Sequence, residues 1–182
     1  VVKSLGLIEL NSIAKGYEVA DCMLKVAEVA LIKAHSICPG KFIVMISGDV
    51  GAVKTAVQAG RDVGASNVVD FLVLPNLSTQ IIPAISGTTM IVFEDALGAM
   101  EFFSIASAVV AADAAVKAAN VNIIDLRLGF AIGGKAYVTL TGDVSAVTAA
   151  VEAGSRTAAE SGLLVSKVVI PRPHASLRGA LL

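Results

Sequence analysis

The chain has 182 residues, of which 55% are hydrophobic and only 16% charged, and its formal net charge is −1. That balance gives no electrostatic footprint for nucleic acid, and 4% aromatic residues without a tryptophan leave few platforms for stacking bases. The apolar stretches are broken by Asp, Lys, Glu or Gly well before the roughly 18 residues of a membrane span.

Val2 to Leu10 carries a β-type apolar run. Ser12 is then the expected N-cap of a helix whose apolar positions include Ile13, Tyr17, Val19, Ala20, Met23 and Leu24. Ala30 to Ile37 and Lys41 to Ser47 read as the second and third strands, joined by a turn at Pro39-Gly40. Asp49 is expected to cap a second helix reaching about Val63, and Val68 to Leu74 reads as a fourth strand. The order is β-α-β-β-α-β, an α/β (α+β) ferredoxin-like variant with both helices on one face of an antiparallel sheet. Thr79 to Met90, with Pro83 and Gly87, reads as a linker. The order then recurs: a strand near Leu97 to Phe102, a helix from Ser104, strands Val121 to Phe130 and Lys135 to Leu140, a helix from Asp143, and a strand Leu164 to Ile170.

The recurrence is also one of sequence. Lys41 to Gly60 and Lys135 to Gly154 share 11 of 20 residues at an offset of 94 (135 − 41), and Leu5 to Lys25 matches Leu97 to Lys117 at 9 of 21 with an offset of 92 (97 − 5). Two tandem domains follow, residues 1–92 and 93–182. The offset grows by two at one loop, which reads Ile37-Cys38-Pro39-Gly40 in the first copy and Phe130-Ala131-Ile132-Gly133-Gly134 in the second. One copy carries a thiol where the other has only small and apolar residues. So apolar a chain is expected to bury part of its surface between chains, with the alanines of residues 106–115 packed tightly on their own sheet or laterally against a neighbour.

Nothing at the start of the chain marks secretion, and two cysteines make no disulfide framework, so a cytoplasmic setting is expected. Cys22 lies in a helical pattern and reads as a small buried residue. His35 should share a sheet face with Ile37, as a surface or interface residue or a proton carrier. Glu9 and Glu101 read as strand-edge or interface pairing, and Asp49 and Asp143 as helix caps. No phosphate loop or nucleophile elbow is present, and the expectation is a protein that is not an enzyme.

The GDVGAV and GDVSAV segments, ADCMLK and ADAAVK on the first helix of each copy, and the closing IPRPH resemble the bacterial microcompartment shell domain. Two in tandem resemble the trimeric shell proteins, whose domains form a pseudohexameric tile, and ICPGKF resembles the shell protein T subgroup of the propanediol-utilisation type. The resemblance implies a homotrimer that meets other shell proteins at its edges and serves encapsulated redox enzymes; composition already leaves out a nucleic-acid or membrane partner. It places Ile37, Cys38, Pro39 and Gly40 of one domain, and Ile132, Gly133 and Gly134 of the other, around a central pore. Lys25 and Lys117 correspond to its edge lysines, and Arg172, with Pro173 and His174, to its edge segment. The first copy has Asn76, Leu77 and Ser78 there, so no edge role carries over to them.

The subgroup further implies a [4Fe-4S] cluster at this loop, one per trimer, for electron transfer or cluster delivery across the shell. One loop cysteine cannot hold such a cluster. Three copies of Cys38 about a threefold axis can, because a cubane has a threefold axis through one iron and the opposite sulfide. Two alternatives stand beside this reading: a structural tile whose pore passes small metabolites and whose Cys38 is an inert thiol, and a regulatory module that binds a small effector.

Overall fold

The computed structural model describes residues 4–90 and 93–177. The chain divides into two compact units, Val1–Leu77 and Ser78–Leu182. In the first, β1 (Ser4–Leu10), α1 (Ile13–Val26), β2 (Val29–Ile37), β3 (Lys41–Gly48), α2 (Val50–Gly64) and β4 (Val68–Pro75) follow one another, with a short 3-10 turn at Ala65–Asn67. The sheet order is β2-β3-β1-β4 and every neighbouring pair is antiparallel. The expected start of β1 at Val2 lies outside the described residues.

Local chemistry explains most boundaries. Ser12 has an extended backbone and its side-chain oxygen accepts the Lys15 N–H at 3.3 Å, which caps α1. Asp49 occupies the N-cap position of α2, but its side chain makes no cap hydrogen bond, contrary to expectation. The first turn is closed instead by Val53 N–H donating to the Asp49 carbonyl at 2.9 Å. The carboxylate there still complements the positive end of the helix. Ile8, Leu10, Val44 and Ile46 from the sheet meet Val19, Met23, Val53 and Val57 from the two helices in one buried core.

The second unit comprises α3 (Ile81–Ser86), β5 (Ala96–Phe102), α4 (Ile105–Ala118), β6 (Asn122–Leu128), β7 (Ala136–Gly142), α5 (Val144–Glu160) and β8 (Leu164–Pro171), with sheet order β6-β7-β5-β8. Asp143 repeats the pattern of Asp49 at the start of α5, again without a side-chain cap. The expected linker thus contains a helix. Pro83 tolerates it because it sits in the first turn, where its missing N–H breaks no helical bond. Its Ile81, Ala84 and Ile85 are buried, and the segment from Ser78 belongs to the second unit rather than to the end of the first.

The two cores occupy equivalent positions but differ at several of them, among them one facing pair between sheet and helix. Phe42 on β3 fills the space over Gly16 of α1, where an added Cβ would stand 2.3 Å from the ring. The equivalent positions in the second unit are Ala136 and Ala108, both buried. A ring facing a glycine in the first copy is replaced by two facing alanines in the second. The alanine-rich α4 buries Ala106, Ala108, Ala111, Ala112 and Ala115 within its own unit, which is the tight-packing reading of that composition.

Candidate functional site

β2 and β3 form a hairpin whose last paired residues are Ile37 and Lys41, leaving Cys38, Pro39 and Gly40 as its tip. Gly40 N–H donates to the Ile37 carbonyl at 3.0 Å, and Gly40 adopts φ 84°, a conformation that glycine takes without steric cost. The Cys38-Pro39 peptide is cis, as in type VI turns. Pro39 and Gly40 are exposed and Cys38 is half-buried as a free thiol. Ile37 is buried within its own unit and anchors the turn.

The base of the hairpin is tied down by charge. Lys41 Nζ donates to Glu9 Oε1 at 2.7 Å, and Glu9 is buried. In the second unit Lys135 pairs with Glu101 in the same way. Both glutamates sit on the central strands β1 and β5, so the expectation of strand-edge residues is corrected: each neutralises the lysine that follows the loop. His35 is half-buried on the Ile37 face, and its Nδ1 donates to the Ser36 carbonyl at 2.9 Å.

The corresponding second-unit loop is wider. β6 ends at Leu128, two residues before the expected end at Phe130. Gly129 N–H donates to the Lys135 carbonyl at 3.0 Å and Lys135 N–H to the Ile132 carbonyl at 3.3 Å. Phe130, Ala131 and Gly133 are exposed, and Ile132 and Gly134 half-buried. None of these side chains offers a nitrogen, oxygen or sulfur ligand. Phe130 is the loop's large exposed side chain, a feature that sequence reading missed because an isolated aromatic after a strand reads as core. Beside this loop, Tyr137 O–H donates to Asp125 Oδ2 at 3.2 Å and Arg127 donates to the same oxygen at 2.9 Å. Burial, then the charge of Asp125, pushes the Tyr137 phenol up, and hydrogen bonding to Asp125 raises the Arg127 guanidinium.

Among the described residues no group of three or more His, Cys, Asp or Glu side chains converges within one chain as a metal site. Cys22 is half-buried on α1, not fully buried as expected. The expected edge residues fall in two different settings. Lys25 donates to Asp21 at 2.6 Å with both side chains exposed. Lys117 donates to Asp113 Oδ2, whose carboxylate is buried and also accepts the Ser78 N–H at 2.8 Å. Arg172 and His174 are exposed, and the Arg172 N–H donates to the Asp95 carbonyl at 2.8 Å.

The BMC domain matches this chain twice, at residues 4–77 and 96–173. Over 175 residues the chain is 48% identical to the bacterial microcompartment shell protein PduT of Citrobacter freundii, covering 96% of this chain and 95% of that one. The shell protein PduA of the same organism is 40% identical over 82 residues, which cover 43% of this chain and 88% of PduA. A crystal structure of a microcompartment protein from Desulfitobacterium hafniense DCB matches with a TM-score of 0.94 at 51% identity, covering 98% of this chain and 99% of its own. With two domain matches and near-full-length identity to a shell protein, the chain belongs to the BMC-domain family of bacterial microcompartment shell proteins, as a tandem of two such domains.

Proposed function

We propose that the chain is the protomer of a trimeric, pseudohexameric shell tile whose central pore carries one [4Fe-4S] cluster held by Cys38 from each of three chains. The observation that carries this reading is the free Cys38 thiol on a short hairpin tip, with Pro39 and Gly40 exposed around it. The chemistry of the donor set fits a cluster only in threes. One chain offers one soft thiolate there, the second loop offers no competing ligand, and three chains about an axis supply three. When bound, the cluster would supply one-electron transfer at the pore. The chain's own part is to hold the thiol. The Glu9–Lys41 pair and the Gly40–Ile37 bond fix the hairpin tip, and the second loop fills the alternating positions with Ile132, Gly133 and Gly134. Such a tile would pass electrons across the shell or deliver a cluster to enzymes inside it.

The test is electron paramagnetic resonance with iron and acid-labile sulfide analysis on protein purified without oxygen, comparing the parent with Cys38→Ser. A cluster signal at one per three chains that vanishes in the variant is the expected result. An iron-free trimer after anaerobic handling would leave a structural tile with a small-metabolite pore and end the redox reading.

A further inference from the structure

We propose that the open edge of β4, with the groove between β4 and α2, takes an extended segment of another protein, added as a fifth strand with acidic residues on the face that meets α2. The inference goes beyond the cluster reading and does not depend on it, because every residue it uses lies in the first unit.

Among the described residues β4 ends the first sheet and pairs with β1 alone. Its sequence VVDFLVLP has no lysine or arginine, and Val69 and Phe71 are 47% and 42% exposed. An apolar edge of this kind is a template for a further strand unless something blocks it. The register sets Phe71 opposite Ile8, a residue of the core beneath the helices, so Phe71 lies on the helix side at the rim of the sheet. There α2 meets it, with the Arg61 guanidinium stacked 3.7 Å from the ring centroid. The two elements bound an open groove of about 700 Å³, with Val57, Phe71 and Val73 as its apolar floor and Lys54, Gln58 and Arg61 along its wall. A strand laid beside β4 turns alternate side chains into this groove.

The groove is cationic. Arg61 has the Phe71 ring and the Gln58 amide oxygen, at 3.4 Å, as its partners, and no carboxylate among the described residues. Lys54 has no ion-pair partner among them either. The acid of the lining, Asp62, accepts the Gln58 amide at 2.8 Å. Lys54 and Arg61 stand seven residues apart, about 10 Å along the helix. Acidic residues at positions i and i+4 of a strand share one face about 13 Å apart, within reach of both cations. An apolar residue at i+2 then falls between them, over Phe71 and Val73. The Phe71 N–H donates to Asp70 Oδ1 at 2.8 Å, a local bond that an incoming backbone carbonyl displaces.

The second unit shows that the fold does not require this arrangement. Glu152, Ser155 and Lys167 stand where the first unit has Gln58, Arg61 and Phe71. Lys167 Nζ donates to Glu152 Oε1 at 2.8 Å and to Ser155 Oγ at 3.1 Å, so the cation is paired within its own unit and a lysine guards the strand edge. The same place in the first unit offers an aromatic ring, two cations and an unguarded edge, the combination that strand addition uses for affinity and specificity.

The experiment titrates the full chain against an end-blocked, rhodamine-labelled peptide of sequence Thr-Glu-Thr-Val-Thr-Glu-Thr and reads fluorescence anisotropy. Saturable binding that weakens as salt rises is expected. Replacing both glutamates by lysine should lower the affinity by about tenfold or more. Hydrogen exchange of residues 68–75 should slow in the complex, as pairing of the β4 edge requires. In the protein, Gln58→Glu, Arg61→Ser and Phe71→Lys together recreate the closed arrangement of the second unit and should abolish binding with circular dichroism unchanged. No binding of the acidic peptide to the parent, equal binding of the lysine peptide, or an unchanged affinity in the triple variant overturns the proposal. Binding without slowed exchange in β4 would reveal a groove for acidic groups and no fifth strand, and overturns it as well.

Discussion

Lys41 and Glu9 are joined at 2.7 Å across the β1–β3 pair, with the carboxylate side chain 5% exposed and the ammonium side chain 30%. The repeat places Lys135 against Glu101 in the second unit, but there the carboxylate is 35% exposed. Burial should decide the difference. Lys41→Ala leaves a buried carboxylate without its counter-ion and should cost about 3 kcal/mol, whereas Lys135→Ala removes a solvated pair worth under about 1 kcal/mol. Urea denaturation of both variants measures this, and equal losses would show that the burial difference has no energetic weight.

The order of strands and helices was legible because each half carries four strand-type apolar runs and two helical ones in the same order, and because the halves repeat. The hairpin tip was legible too, as Cys38-Pro39-Gly40 can continue neither strand. What escaped was set by packing rather than by local pattern. Residues 81–86 looked like linker because the helix is short and contains Pro83, yet its apolar side chains are buried in the second unit. Asp21 and Asp113 stand in the same local sequence, four residues before a lysine, and no reading of either motif distinguishes a solvated carboxylate from a buried one. That distinction comes from Ser78, which lies far from Asp113 in the chain.

The same contrast predicts different behaviour for Lys25 and Lys117. Lys25→Ala removes an exposed intrahelical pair and should change stability by a few tenths of a kcal/mol. Lys117→Ala leaves the buried Asp113 carboxylate with the Ser78 N–H and should cost about 1–3 kcal/mol. If both lysines also serve the tile edge, each variant, and the double variant most, should form fewer flat sheets in negative-stain micrographs while remaining trimeric. Unaltered sheets would remove the edge assignment, and a Lys25→Ala protein as destabilised as Lys117→Ala would contradict the burial argument.

Tyr137 gives an alkaline signature. Its phenol is pushed above the ordinary 10.0, chiefly by burial and then by Asp125, so it stays protonated in the folded chain where an unfolded tyrosine ionises. A raised folded pKa contributes stability that is fully present below the unfolded value and is lost as pH rises through the folded one. Tyr137→Phe should be the less stable protein near neutrality by about 1 kcal/mol, through loss of the bond to Asp125. Above about pH 10 the gap should narrow, because the variant has no phenol there to ionise. Denaturation midpoints of both proteins across that range are the measurement, and a gap that stays constant or widens would exclude the linkage.

Gly16 and Phe42 test whether the two cores are interchangeable solutions. Gly16→Ala adds a Cβ 2.3 Å from the Phe42 ring, so the gain of about 1 kcal/mol in helix propensity should be outweighed by overpacking of about 1–3 kcal/mol or more. Phe42→Ala alone empties a fully buried ring position and should cost about 3–5 kcal/mol. The double variant recreates the Ala108 and Ala136 pairing of the second unit. In it the new methyl meets no ring, the propensity gain is recovered and part of the cavity is filled. Its cost should therefore fall below the sum of the single costs by at least about 1 kcal/mol, a coupling that a double-mutant cycle reads directly. Additive losses would mean that the exchange between the copies is not compensatory, and that some other difference between the two cores accommodates the alanines.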